Sequence, residues 1–343
     1  MTMKRTLSSV VLATSALLLA GAVLPGRTAP GRTAHAGHGT NILVMGTDSR
    51  DTISAAEKQK FHAGGFACDC TDALMVVHVS ARQDRVSVVA LPRDSYADIP
   101  PHRDEGTGKQ LPARPSKING AYAEGGPRLT VATVESMTGL NIDHYLQLDF
   151  RRFIDGVDKV GGVEVCTARR LQDKATKLDL KPGKHRLKGG PALQYVRSRK
   201  VDQAADLGRI QRQQRFLVQA LRGLQAKRLL TDPVKTAGLV RTLLGSGRDE
   251  QGFTAGDLVE LATALHKVQA KNTEFATVPI AGFNPTRPDI GSTLAWDKAK
   301  AGAMFKTLRE DRSLLKAGTN PKPYDPPRLM HAVTVRGSAY ACT

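Results

Sequence analysis

The four-residue link Ala81-Arg-Gln-Asp84 constrains the fold more than any other feature of this sequence. It joins two apolar runs, Ala73–Val79 and Val86–Leu91, each the length of a buried strand. A parallel crossover needs roughly a dozen residues or more, so runs joined this closely pair antiparallel. Other strand-like segments lie far apart: the short apolar run Asn41–Met45, the period-two stretch His144–Phe150, then Val163–Val165, Phe275–Ile280 and Val333–Val335. Helical stretches separate them, at Lys117–Tyr122, Leu129–Met137 closed by Gly139, Arg151–Val160, Gly190–Val196, Asp206–Leu224, Asp257–Val268 and Trp296–Leu308. Strands alternating with helices, with some antiparallel pairing, predict an α/β fold, an α/β/α sandwich around a central mixed sheet. Residues 51–71 read as a polar, mobile surface loop, and Pro100–Pro115 as irregular chain.

Charged motifs gather at the ends of these runs. Gly46-Thr-Asp48-Ser-Arg50 follows the first, Asp72 stands just before the second, and Pro92-Arg93-Asp94 follows the third. A denser set lies downstream, Tyr195-Val-Arg197-Ser-Arg199 and then Asp206-Leu-Gly-Arg209-Ile-Gln-Arg212-Gln213-Gln214. On an extended segment Arg197 and Arg199 point to one face, and on the following helix Arg209, Arg212 and Gln213 share a stripe offset from Ile210, Leu217, Leu221 and Leu224. Guanidinium forks suit phosphate oxygens better than lysine does, so the set reads as a site for a multiply charged phosphate group. The plain alternative is two solvated basic faces. Carboxylates repel phosphate, and Asp48 and Asp72 make sense beside it only with a hard divalent cation between, Mg²⁺ taking one or two carboxylates and phosphate oxygens. Otherwise each aspartate is a turn or strand-end cap.

Lys4 and Arg5 precede an apolar run from Val10 to Leu24 and then Pro25-Gly26, the pattern of an export signal. Ala34-His-Ala36 is a cleavage candidate, and an uncleaved membrane anchor is the other reading. Either way, residues from about 40 onward are expected outside the cytoplasm, at the outer face of the membrane or released from it. The formal net charge of +18 does not come from the leader. Residues 1–36 hold four basic residues and no acid, so the rest keeps +14. Such a charge favours nucleic acid, anionic lipid or anionic polymers, and export makes nucleic acid the poorest of these partners. Cys68, Cys70, Cys166 and Cys342 permit two disulfides in that compartment. A bond between Cys68 and Cys70 is strained, so bridges from each to Cys166 or Cys342 are the easier geometry. Scattered histidines and the lack of a second CxxC argue against zinc.

Taken in order, Gly46-Thr-Asp48-Ser-Arg50, Thr71-Asp72, Leu91-Pro-Arg93-Asp94-Ser-Tyr96, Lys117-Ile-Asn119, Gly161-Gly-Val163-Glu-Val165 and the two arginine motifs closely resemble the LytR-CpsA-Psr family over residues 40–310. The resemblance implies an extracytoplasmic phosphotransferase. Such an enzyme moves a glycopolymer from a polyprenyl pyrophosphate carrier onto peptidoglycan, typically at the muramic acid 6-hydroxyl, with Mg²⁺ at the pyrophosphate. It makes Asp48 and Asp72 magnesium ligands, and Arg93, Arg197, Arg199, Arg209 and Gln213 pyrophosphate contacts, with Arg50 and Arg212 as weaker assignments. Asp94 or Asp72 is the candidate base. Cys70 stands where the family often has an arginine, two residues before its second aspartate. Residues 1–36 are read as signal or anchor and 311–343 as a carboxyl-terminal extension, with no further domain. The polyprenyl chain needs an apolar tunnel, for which Leu74–Val79 and Tyr145–Leu148 are candidate linings, although ordinary core packing explains those runs equally well. Two other readings use the same residues: a module that binds or cleaves polyprenyl pyrophosphate without glycan transfer, and a transcriptional regulator, for which neither a cytoplasmic basic domain nor a recognition helix is evident.

Overall fold

The two apolar runs form the antiparallel hairpin that their short link requires. β2 (Thr71–Val79) pairs with β3 (Val86–Ala90), Met75 opposite Ala90 and Val79 opposite Val86. β1 (Thr40–Thr47) adds antiparallel on the other side of β2. Parallel strands flank this core: His144–Leu148 lies beside β1 and Thr273–Thr277 beside β3, while the short strand Val335–Arg336 closes the far edge antiparallel. In the computed structural model, residues 37–64, 70–104, 106–244, 253, 255–325, 327–328, 330 and 333–342 are described. The chain divides into Met1–Thr33 and Ala34–Thr343, and the description concerns the second unit.

Helices cover both faces of the six-stranded sheet. They are α1 (Ala55–Lys60), α2 (Gly120–Thr138), α3 (Phe150–Lys159), α4 (Gly189–Arg197), α5 (Ala205–Ala226), α6 (Pro233–Leu244), α7 (Ala255–Lys267) and α8 (Lys298–Arg309). The strands sort their side chains by parity. Leu74 and Val76 of β2 join Val134 of α2 and Phe305 and Leu308 of α8 in one core. Met75 and Val79 face the other way, into a core with Ile210 and Val218 of α5 and Ala264 of α7. The expected α/β/α sandwich is therefore present, with apolar residues on both faces of each central strand.

Topology places the site. β1, β3, His144–Leu148 and Thr273–Thr277 run the same way, so their carboxyl ends meet at one edge of the sheet, where open α/β sheets bind ligands. The opposed strand β2 brings its amino end, and with it Asp72, to the same edge.

Several local expectations are corrected. Residues 51–71 contain α1, which a polar composition concealed: Ser54 caps it and Glu57 closes a capping box. The strand at Val163 stays out of the central sheet and pairs antiparallel with Gly183–Leu187 in a separate two-stranded sheet. Lys117 ends a strand, Arg114–Lys117, that pairs with Tyr96–Ile99, and Trp296 ends another, Leu294–Trp296, ahead of α8. The two helical stretches expected on either side of residue 125 are present within α2, parted by non-helical backbone at Gly125 and Gly126, and the second ends on Gly139 at φ 65°. Arg197 is the last residue of α4 and Arg199 lies beyond its cap Ser198; the two line different cavities, so the shared face expected for them does not exist. Cys166 is bonded to Cys342, which leaves neither for the Cys68–Cys70 segment. Cys70 is itself in a disulfide, and Cys68 lies outside the described residues. The proposed signal or anchor also lies outside them, and among the described residues no helix is long and apolar enough to cross a membrane.

Candidate active site

Asp72, entering from β2, is the hub. Its Oδ1 accepts from Arg93 Nη1 and lies 3.6 Å from Arg209 Nη1. Arg209 reaches it from α5, where it is 3% exposed and also pairs at 2.8 Å with Asp206 one turn earlier. Asp206 in turn lies 3.3 Å from Arg199 Nε and 4.0 Å from Arg93 Nε. Arg93 also has Asp94 at 3.7 Å, and Asp94 holds Lys117 Nζ at 3.2 Å. Charges from four separate parts of the chain are thus linked into one network.

Asp48 stands beside it at the end of β1. Its backbone N–H donates to the Cys70 carbonyl at 3.2 Å, fixing the chain just before Asp72. Arg50 grips the Asp48 carboxylate with two bonds of 2.8 Å and also donates to the Gly64 carbonyl. Arg197 extends from the end of α4, donates to the His62 carbonyl at 3.3 Å and lies 4.8 Å above the Phe150 ring. The segment carrying α1 therefore holds two of the site arginines through main-chain oxygens.

The stripe on α5 divides. Arg209 and Gln213, four residues apart, face the same cavity, with Gln213 donating to the Val196 carbonyl at 3.1 Å. Arg212 lies on the other side of Arg209 and turns away from the cluster. It pairs with Asp202 at 3.2 Å and donates to the Ser198 carbonyl at 2.5 Å, tying the loop between α4 and α5 to the helix. Gly208 allows that loop to approach: a Cβ there would lie 2.6 Å from Asp202 Oδ1.

The cavity has about 120 Å³ of internal space and two kinds of wall. Asp72, Arg197, Arg209 and Gln213 line one part. Met75, Leu148, Phe150, Phe153, Leu193 and Phe216 belong to the apolar remainder. Of the runs expected to form a tunnel, Met75 and Leu148 reach it, whereas Leu74 and Val76 are packed into the opposite core. Most of its apolar wall comes instead from α3, α4 and α5.

Electrostatically the site is short of anions. Arg50, Arg93, Lys117, Arg197, Arg199 and Arg209 stand against Asp48, Asp72, Asp94 and Asp206, six positive groups to four negative. Burial lowers the pKa of Arg209 and of Arg197, an effect the nearby carboxylates do not cancel. Burial would raise that of Asp72, but the Arg209 and Arg93 guanidiniums outweigh it and hold the carboxyl below the ordinary range. The Nε–H groups of Arg93 and Arg209 are buried without a hydrogen-bond acceptor although carboxylates lie within ion-pair distance. Unused donors of this kind cost about 1–3 kcal/mol each and are available to an oxyanion. Asp206 and Lys117 lay inside quoted motifs without being assigned a role. The spacing of Asp206, one turn before Arg209, is the signal that points to it.

The LytR-CpsA-Psr profile matches residues 26–310. The chain belongs to the LytR-CpsA-Psr family. Among curated members, the probable cell wall biosynthesis protein LcpB of Corynebacterium glutamicum is 34% identical over 272 residues, which cover 79% of this chain and 61% of LcpB. The chain thus spans less than two thirds of that relative. TagU of Oceanobacillus iheyensis, named as a polyisoprenyl-teichoic acid–peptidoglycan teichoic acid transferase, is 29% identical over 72% of this chain and 68% of its own. The structure of TagT bound to LIIa-WTA shares the fold at 23% identity, with a TM-score of 0.57 over 82% of this chain and 93% of that one.

Proposed function

We propose that this LytR-CpsA-Psr chain transfers an anionic glycopolymer from a polyprenyl pyrophosphate carrier to the muramic acid 6-hydroxyl of peptidoglycan, at the extracytoplasmic face of the membrane. One observation carries the reading: buried, under-neutralised arginines stand in the wall of an apolar cavity. The ligand that satisfies both parts is an amphiphile with an anionic head and a hydrocarbon tail. The family relationship and the names of LcpB and TagU support the same assignment.

In the proposed reaction the acceptor oxygen bonds to the sugar-proximal phosphorus, and the bond from that phosphorus to the bridging oxygen breaks. Polyprenyl phosphate leaves with the electron pair. Arg93, Arg197 and Arg209 neutralise the charge that develops on the phosphoryl oxygens. The hydroxyl proton passes to a carboxylate, Asp94 or Asp72, both of which are paired with cationic side chains at the site. Among the described residues no three His, Cys, Asp or Glu side chains form a metal cage. Mg²⁺, when bound, would be held by Asp48 and Asp72 in exchange for part of their arginine contacts, together with phosphate oxygens and water, and would supply further charge neutralisation.

Incubating the full chain with a lipid-linked pyrophosphoryl glycan, peptidoglycan oligomers and Mg²⁺ should yield a glycan-phosphate-muramyl product. Release of polyprenyl phosphate at a rate indifferent to acceptor would identify a hydrolase instead. Undiminished product formation by Asp72→Ala would remove Asp72 from the site.

A further inference from the structure

We infer that Tyr324, Asp325 and Arg328, carboxyl-terminal to the family-matched residues, form one wall of a separate subsite for the acceptor saccharide. The inference rests on the transfer reading. A groove of about 750 Å³ adjoins the ionic network through Asp94, Lys117, Arg199 and Asp206. No residue lining this groove lines the apolar cavity, which meets the network through Asp72 and Arg209 instead. Arg93 joins the two sides, with Asp72 on one and Asp94 and Asp206 on the other.

Displacement at phosphorus places the entering and leaving oxygens roughly in line. With the departing lipid phosphate on the side of the apolar cavity, the incoming hydroxyl must arrive from across the network. The groove lies there, and Asp94 lies in its lining to take the proton. Its outer walls have the character of a sugar site. Phe283 is 65% exposed and Tyr324 40% exposed, two aromatic surfaces beside charged hydrogen-bonding groups. The Arg328 guanidinium lies 5.1 Å from the Tyr324 ring centre, within range to hold that ring in place.

This wall is fastened to the domain. Gln211 of α5 donates to the Tyr324 carbonyl at 2.6 Å, and Asp325 pairs with Arg215 at 3.0 Å and with Arg169 at 3.6 Å. Farther along, the Tyr340 hydroxyl donates to Gln214 at 3.2 Å, and Cys342 is bonded to Cys166.

Two measurements on the full chain test the subsite: calorimetric titration with a peptidoglycan tetrasaccharide in the absence of donor, and steady-state kinetics with both substrates. Phe283→Ala and Tyr324→Ala should each weaken tetrasaccharide binding about tenfold and raise the acceptor KM by a similar factor, with the donor KM moving less than about twofold. Tyr324→Phe, which keeps the ring, should restore most of the loss. Phe283 is largely in solvent, so its truncation leaves the fold intact and keeps the test independent of any folding defect at Tyr324. Unchanged tetrasaccharide affinity in both alanine variants overturns the inference. So does a raised donor KM with an unchanged acceptor KM, which would assign the groove to the glycan of the donor. If the wild-type chain forms no phosphodiester with any acceptor, the transfer reading fails, and the titration alone then decides the subsite.

Discussion

Asp72 illustrates how a single carboxylate can stabilise the fold and serve the site at once. Burial disfavours its charge, and Arg209 and Arg93 more than compensate, so its folded pKa lies below the unfolded value near 3.9. A depressed carboxyl contributes stability that is present above the unfolded pKa and is lost as pH falls through the folded one. Asp72→Asn should therefore destabilise the chain by about 1–3 kcal/mol at neutral pH. The deficit should stay constant down to about pH 5 and shrink below about pH 4, as read by denaturant unfolding across that range. A deficit independent of pH would mean that the asparagine disturbs packing rather than charge.

At the scale of elements, α1 backs the site without lining it. Its segment supplies the Gly64 and His62 carbonyls to Arg50 and Arg197, and Glu57 ties it to Arg151 of α3. That ion pair, with the Ser54 bonds, lowers the Glu57 pKa to about 2, so the tie persists through ordinary acid conditions. Ser54→Ala removes the capping box and should cost about 1 kcal/mol locally. Amide exchange in α1 should quicken, and pyrophosphate should bind more weakly, while exchange in the central strands stays unchanged. The strands of the sheet were legible because parity and apolar runs are local signals, and the short Ala81–Asp84 link alone set the hairpin's direction. α1 was not, because a short helix capped by polar side chains carries no apolar stripe. The motif arginines were legible as residue types but not as directions. Arg209 and Gln213 face the cavity because they lie one turn apart on α5. Arg212 follows Asp202, whose position depends on how the preceding loop folds back.

For the molecule as a whole, the Cys166–Cys342 bond closes a span of 176 residues and fixes the carboxyl-terminal segment to the strand Val163–Thr167. Cys342→Ser should lower stability by about 2–5 kcal/mol, visible as a reduced Tm relative to the oxidised chain and matched by reductant on the wild type. The apolar cavity and the groove share no lining residue. If the lipid-linked donor takes the cavity and the acceptor the groove, as proposed, neither obstructs the path of the other and both orders of loading are open. On the proposed transfer reading, the initial-rate lines for the two substrates should intersect rather than run parallel.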